Sequence, residues 1–185
     1  MTIENVSIPT IEKSILQKSI GQNMNSIFAY KRTNFTADIV ESIWYLGVNC
    51  DNFEFQIERE DINAKYFDGI EDGGRIKVSD TPVDGLEIKS RKTINRVVRG
   101  ISIIDDTFDI KTAGYKITYP KAIIFHFDDC NLIVEREWLF SLEGLIVHLE
   151  PLDAENFGLI DEEACWQDEE EWGGSAIFTQ NIEKL

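Results

Sequence analysis

The chain is poor in the residues that staple or interrupt a fold. Its 185 residues include three cysteines, four prolines and two histidines. Cys50, Cys130 and Cys165 are odd in number, far apart and without CxxC spacing. That spacing excludes a disulfide framework and a cysteine zinc site, and suits reduced thiols in the cytoplasm. No stretch reaches the roughly 18 consecutive apolar residues of a membrane span, and no apolar run follows a basic start, so neither a spanning helix nor a secretory signal is expected. There is no internal repeat and no Pro- or Ser-rich linker, and the length suits one domain over residues 1–185. Bases are scarce in one place above all. From Glu137 to Leu185 only Lys184 is basic against 13 acids, whereas Met1 to Arg136 carry 17 basic and 21 acidic residues. The last quarter thus contributes −12 of the net charge of −16. Such a field repels nucleic acid and anionic membranes and steers cationic partners inward.

What the chain does have is strand signal. The stretch Lys121–Glu150 is the most apolar, and it reads as a core hairpin. Ile123, Phe125 and Phe127 alternate with Ile124 and His126, Asp128 to Asn131 supply turn chemistry, and Leu132 to Val134 start the return. A second hairpin is expected from Ser42–Val48 and Asn52–Glu58 around an Asn49–Asp51 turn. Short strands are expected at Arg75–Val78, Leu86–Lys89, Phe108–Lys111, Tyr115–Tyr119, Leu145–Leu149 and Ala176–Ile182. A longer one covers Ile94–Ile104, with a turn at Asp105–Asp106. Pro120 marks a break. Helix is confined to Pro9–Ser19, where Ile11, Ile15 and Leu16 form a stripe before Gly21, to one turn at Asp61–Tyr66, and to a short helix or turn at Trp138–Leu142. Residues 22–37 are polar, with Ile27, Phe28 and Tyr30 as their apolar cluster. The expected class is α+β, predominantly antiparallel β, arranged as a sheet, sandwich or partly open barrel with a short N-terminal helix.

No constellation matches a catalytic motif. His126 and His148 each lie in an apolar strand near an acid, Asp128 and Glu150, but at no spacing that defines a base or a ligand set. On alternation His126 points away from the Phe125 and Phe127 face, and both histidines read as structural or surface residues. Cys130 and Cys165 lie among acids, which disfavour the thiolate, and Cys50 reads as a turn or core residue. Neither Glu71–Gly74 nor Asp161–Glu171 has calcium-loop spacing, so no metal and no cofactor is expected. Lys89, Arg91, Lys92, Arg96 and Arg99 form the one basic run. With little aromatic interleaving it reads as a solvated strand face, or as one that neutralises the acidic segment internally.

The sharpest candidate is the acidic segment 153–172, where nine acids interleave with Phe157, Leu159, Ile160, Trp166 and Trp172. Carboxylates around rigid aromatic anchors suit capture of a Lys- and Arg-rich surface. The plainer reading is an acidic surface whose tryptophans pin the segment to the core. The candidate partner-binding residues are Asp161, Glu162, Glu163, Trp166, Asp168, Glu169, Glu170, Glu171 and Trp172.

In size, acidity and strand content the chain resembles bacterial immunity proteins, the antidotes of polymorphic and contact-dependent growth inhibition toxins. The resemblance covers the whole chain by type and brings no motif and no site residue with it. It implies a non-enzymatic cytoplasmic protein that binds a basic cognate toxin domain, often a nuclease, and occludes its active site. Two other classes stay open: an enzyme or small-ligand-binding β-barrel with a pocket near His126 or His148, and a self-assembling structural or phage-type subunit that exposes edge strands.

Overall fold

Alternating burial sorts most of the chain into two packed β-sheets. The computed structural model describes residues 2–36, 39–66, 69–81, 85–110, 114–136, 141, 143–149 and 176–185. Its elements begin with β1 (Thr2–Asn5), α1 (Thr10–Gln17), β2 (Asn23–Ala29), β3 (Ile39–Ile43) and β4 (Tyr45–Cys50). A long pair follows, β5 (Glu54–Tyr66) and β6 (Gly69–Ser79), then β7 (Ser90–Val97), β8 (Gly100–Ile110) and β9 (Tyr115–His126). The remaining strands are β10 (Asn131–Glu135), β11 (Leu145–His148) and β12 (Ala176–Lys184).

In the larger sheet the order is β12, β8, β9, β10, β11, β3, with β1 added in parallel to β9. The smaller sheet runs β6, β5, β4, β2, β7. Neither sheet closes into a barrel, so the architecture is predominantly antiparallel and sandwich-like, with one short helix. Ile27, Leu46, Val48, Phe55 and Ile57 of the smaller sheet share one buried cluster with Ile101, Ile103, Ile123, Phe125, Val134 and Val147 of the larger. The rings of Phe55 and Phe125 meet between the sheets at 6.2 Å. Removal of each such side chain from water contributes about 1.5–3 kcal/mol, which makes this layer the main source of stability.

The core hairpin forms as expected. Phe125 faces Leu132 and Ile123 faces Val134, and the Phe127 N–H donates to the Cys130 carbonyl at 2.9 Å to close the turn. The same alternation turns Ala122, Ile124 and Ile133 to the other face of the sheet, where they cluster with Ile104. The last strand also forms where expected, at β12, and Leu145–His148 forms β11.

Several expectations are corrected. Residues 22–37 contain β2, which pairs on both sides, with β4 and with β7, so its polar residues are carried by two ladders. Asp61–Tyr66 is no helical turn but the far end of β5, paired with Gly69–Gly74 throughout. Leu86–Lys89 precedes its strand, which starts at Ser90. The stretch Ile94–Ile104 divides at Val98–Arg99, placing β7 in one sheet and β8 in the other. Likewise the Ser42–Val48 stretch divides at Trp44 between β3 and β4, and Ser42 takes a left-handed φ of 58°. Asp105 and Asp106 do not turn; they continue β8 past a register shift opposite Lys121. Pro120 sits inside β9, where it faces Asp105. Its missing N–H falls between the last β1 partner, Thr118, and the first β10 partner, Ala122, so no ladder bond is lost there.

Helix α1 also differs from its expected stripe. Ile15 and Leu16 are buried, but Ile11 is exposed and Glu12 is buried instead. Glu12 reaches β6, where its carboxylate accepts from the Val78 N–H at 2.8 Å and from Arg75 at 2.8 and 3.3 Å. An ion pair, rather than an apolar contact, therefore seats this side of the helix.

Candidate functional site

Every residue of the expected partner-binding set, Asp161, Glu162, Glu163, Trp166, Asp168, Glu169, Glu170, Glu171 and Trp172, lies outside the described residues, as do Cys165 and most of the expected element at Trp138–Leu142. What the structure does locate is a set of ion pairs between described residues. Lys13 pairs with Glu183, Arg59 with Asp61, and Arg75 with Glu12 and Glu60. Lys77 pairs with Glu58 and Glu60, Lys89 with Glu87, Arg96 with Asp129, and Arg99 with Asp128.

The basic run is engaged along its length. Arg91 donates to Ser26 at 2.7 Å and stacks over the Phe28 ring, and Lys92 donates to the Phe35 carbonyl. Arg96 and Arg99 each take an aspartate of the β9–β10 turn through two nitrogens. The Arg99 guanidinium holds the Asp128 carboxyl below the usual range, and Arg96 does the same for Asp129. The turn acids of the core hairpin thus mate with Arg96 at the end of β7 and Arg99 in the β7–β8 connection.

Both histidines lie on the face of the larger sheet turned away from the main core, on either side of Ile124 and Ile133. His126 is half-buried and lies between Ser102 and Asn131, with Nε2 to Ser102 Oγ and Nδ1 to Asn131 Oδ1 both at 2.8 Å. The amide oxygen can only accept, so Nδ1 carries the proton and Nε2 accepts from the serine. This order, hydroxyl to imidazole to orienting amide, is the one used to activate a nucleophile. Access and charge stabilisation are missing, however. Ser102 is 4% exposed and lies mid-strand between β9 and β12, where its N–H belongs to a ladder and leaves no donor pair for an oxyanion. His148 is buried and bonds Glu135 through Nε2, while Glu150 lies outside the described residues. Sequence reasoning missed Ser102, Asn131 and Glu135. Asn131 lies five residues from His126 across the turn and could have been found by hairpin register, whereas nothing in the sequence ties Ser102 to either.

A cleft of about 320 Å³ opens between β7 and the β9–β10 turn, bordered by Lys92, Arg96, Phe127, Cys130, Asn131 and Leu149. Neither His126 nor Ser102 lines it. Among the described residues no group of three or more His, Cys, Asp or Glu side chains is placed to hold a metal. The thiols of Cys50 and Cys130 are reduced, and burial, reinforced by Asp51, pushes Cys50 up to about 11, far from a reactive thiolate. No described helix is long and apolar enough to cross a membrane. No family model matches the chain, and no curated protein or solved structure matches it either.

Proposed function

We propose that this chain is an immunity-type inhibitor that binds a basic protein toxin domain, a nuclease by its charge preference, and occludes the active site with carboxylates standing where substrate phosphates go. One observation carries the reading: the last quarter of the sequence sets 13 acids against one base, a net charge of −12, with tryptophans among the acids. Long-range attraction by such a charge raises association rates and falls with salt. The burial of Ser102 within its strand argues against a nucleophile paired with His126.

The test is co-expression with the basic domain encoded beside the chain in its host, scored as rescue of growth and as binding over a salt series. Reversing Asp168, Glu169, Glu170 and Glu171 to lysine is expected to slow association and flatten its salt dependence. Unchanged association rates would remove the segment as the epitope, and no rescue by the unaltered chain would remove the inhibitor reading.

A further inference from the structure

Five strands have a free edge among the described residues, and all but β12 are guarded against pairing with another chain; β1 is only four residues long and carries Glu4. β6 is covered by α1, whose Glu12 takes the Val78 N–H, and β6 also carries Arg75 and Lys77. β7 bears Arg91, Lys92 and Arg96 and is kinked by a left-handed Asn95 at φ 50°. β3 is five residues long, contains the left-handed Ser42, and gives the Ser42 carbonyl to the Lys31 ammonium. Charges, kinks and caps of this kind are how sheets avoid edge pairing.

β12 has such a guard only at its end, where Glu183 pairs with Lys13 and Lys184 follows. It is nine residues long, straight in register with β8 throughout, and without charge or proline from Ala176 to Ile182. Ile182 is 54% exposed and Ile177 41% exposed. The Leu185 N–H bonds the Ile101 carbonyl, which places the odd-numbered residues of the strand toward β8. By antiparallel alternation the N–H and C=O groups of Phe178, Gln180 and Ile182 then point outward. Among the described residues no strand pairs with that edge.

We infer that the outer edge of β12 is a docking site that accepts an extended strand of the basic protein partner. The strand geometry stands by itself, while the basic character of the occupant rests on the proposed function. In sequence the acidic segment ends at Trp172, four residues before Ala176. A chain of net charge −16 favours a basic strand as the occupant, with main-chain bonds supplying affinity and flanking lysines or arginines supplying selectivity. A second copy is the poorer occupant, because it brings another chain of net charge −16 to the same place.

The full chain is tested by amide hydrogen exchange and fluorescence anisotropy with an alternating lysine–valine octapeptide as the probe. Slower exchange is expected at Phe178, Gln180 and Ile182 when the peptide binds. Gln180→Pro removes an outward N–H and no main-chain bond to β8, and is expected to weaken binding by about tenfold, whereas Gln180→Ala, which loses only the side-chain bond to Asp106 of β8, is expected to bind as the unaltered chain does. Ile182→Lys, which guards the edge without touching the backbone, is expected to weaken binding in the same direction as the proline variant and covers the case in which that variant fails to fold. Peptide binding without protection of these amides, no binding, or equal binding to the proline and lysine variants overturns the inference, and so does protection that grows with the concentration of the protein alone. The charge-reversed chain separates the two readings. Retained amide protection with loss of salt dependence is expected if the acids only steer the partner, whereas retained salt dependence with protection lost only in the edge variants removes the acidic epitope and keeps the edge.

Discussion

Arg75 and Arg99 each hold a carboxylate at nearly the same distance, 2.8 Å to Glu12 and 2.7 Å to Asp128. Solvent separates them. The Arg75 and Glu12 side chains are 14% and 9% exposed, those of Arg99 and Asp128 55% and 70%. Burial pushes the Arg75 pKa down, but the bonds and charges of Glu12 and Glu60 outweigh it and leave a net rise. Arg99 is also raised, by the Asp128 hydrogen bond, yet water competes for every atom of that pair. Equal lengths therefore do not mean equal worth. A buried pair broken on one side strands a charge, while a surface pair dissolves into solvent at little cost.

The largest expected effect breaks the buried member. Glu12→Ala leaves the Val78 N–H without its acceptor and Arg75 with one carboxylate fewer, and should cost about 3 kcal/mol in urea unfolding. A loss below about 1 kcal/mol would place this cluster with the surface pairs.

A smaller effect, of opposite sign, is expected at Asp105. This acid is 6% exposed and its Oδ1 has no hydrogen-bond partner. Burial raises its pKa, and Glu183 adds to the rise, against the pull of Lys13 and Ser7. The folded state therefore holds this proton more tightly than the unfolded chain does, and stability is lost as pH rises through the carboxylate range. Asp105→Asn should raise the melting midpoint at pH 7, with the difference vanishing where Asp105 is protonated in both states. A midpoint difference independent of pH would show that packing, not charge, sets the effect.

The smallest effect belongs to the exposed pairs. With the Asp128 and Asp129 pKa values lowered in the fold, their contribution is present above the unfolded carboxylate range and fades as pH falls. Asp128→Asn and Asp129→Asn should leave the unfolding midpoint unchanged in high salt and lower it only slightly in low salt. A drop that matches Glu12→Ala would erase the contrast.

Strands that alternate strictly were legible from the sequence. Ile123, Phe125, Leu132 and Val134 declare the β9–β10 hairpin because one face of each strand is buried. Asn23, Asn25 and Ser26 hide β2, whose conformation comes from ladders to two distant strands. Asp105 and Asp106 look like turn residues because local composition cannot show the Lys13 charge beside one or the Gln180 amide bonded to the other. The division of residues 94–104 between sheets was equally hidden, since apolar alternation continues through Val97 and Val98. For the candidate site, charge and the uncharged run Ala176–Ile182 were visible as composition. That this run forms the unguarded edge was not, since an edge is defined by the neighbour a strand lacks.

The larger sheet takes strands from both ends of the chain. Thr2 lies beside Tyr115 and Ile43 beside Leu145, whereas the smaller sheet is complete within residues 23–97. Loop-closure entropy opposes such distant pairings, so they form after the nearer ones. During synthesis the smaller sheet can assemble while β1 and β3 wait, and only the emergence of β9 and β11 gives them a place. The larger sheet therefore cannot be completed until residues 115–148 are available, whereas the smaller one needs nothing beyond residue 97.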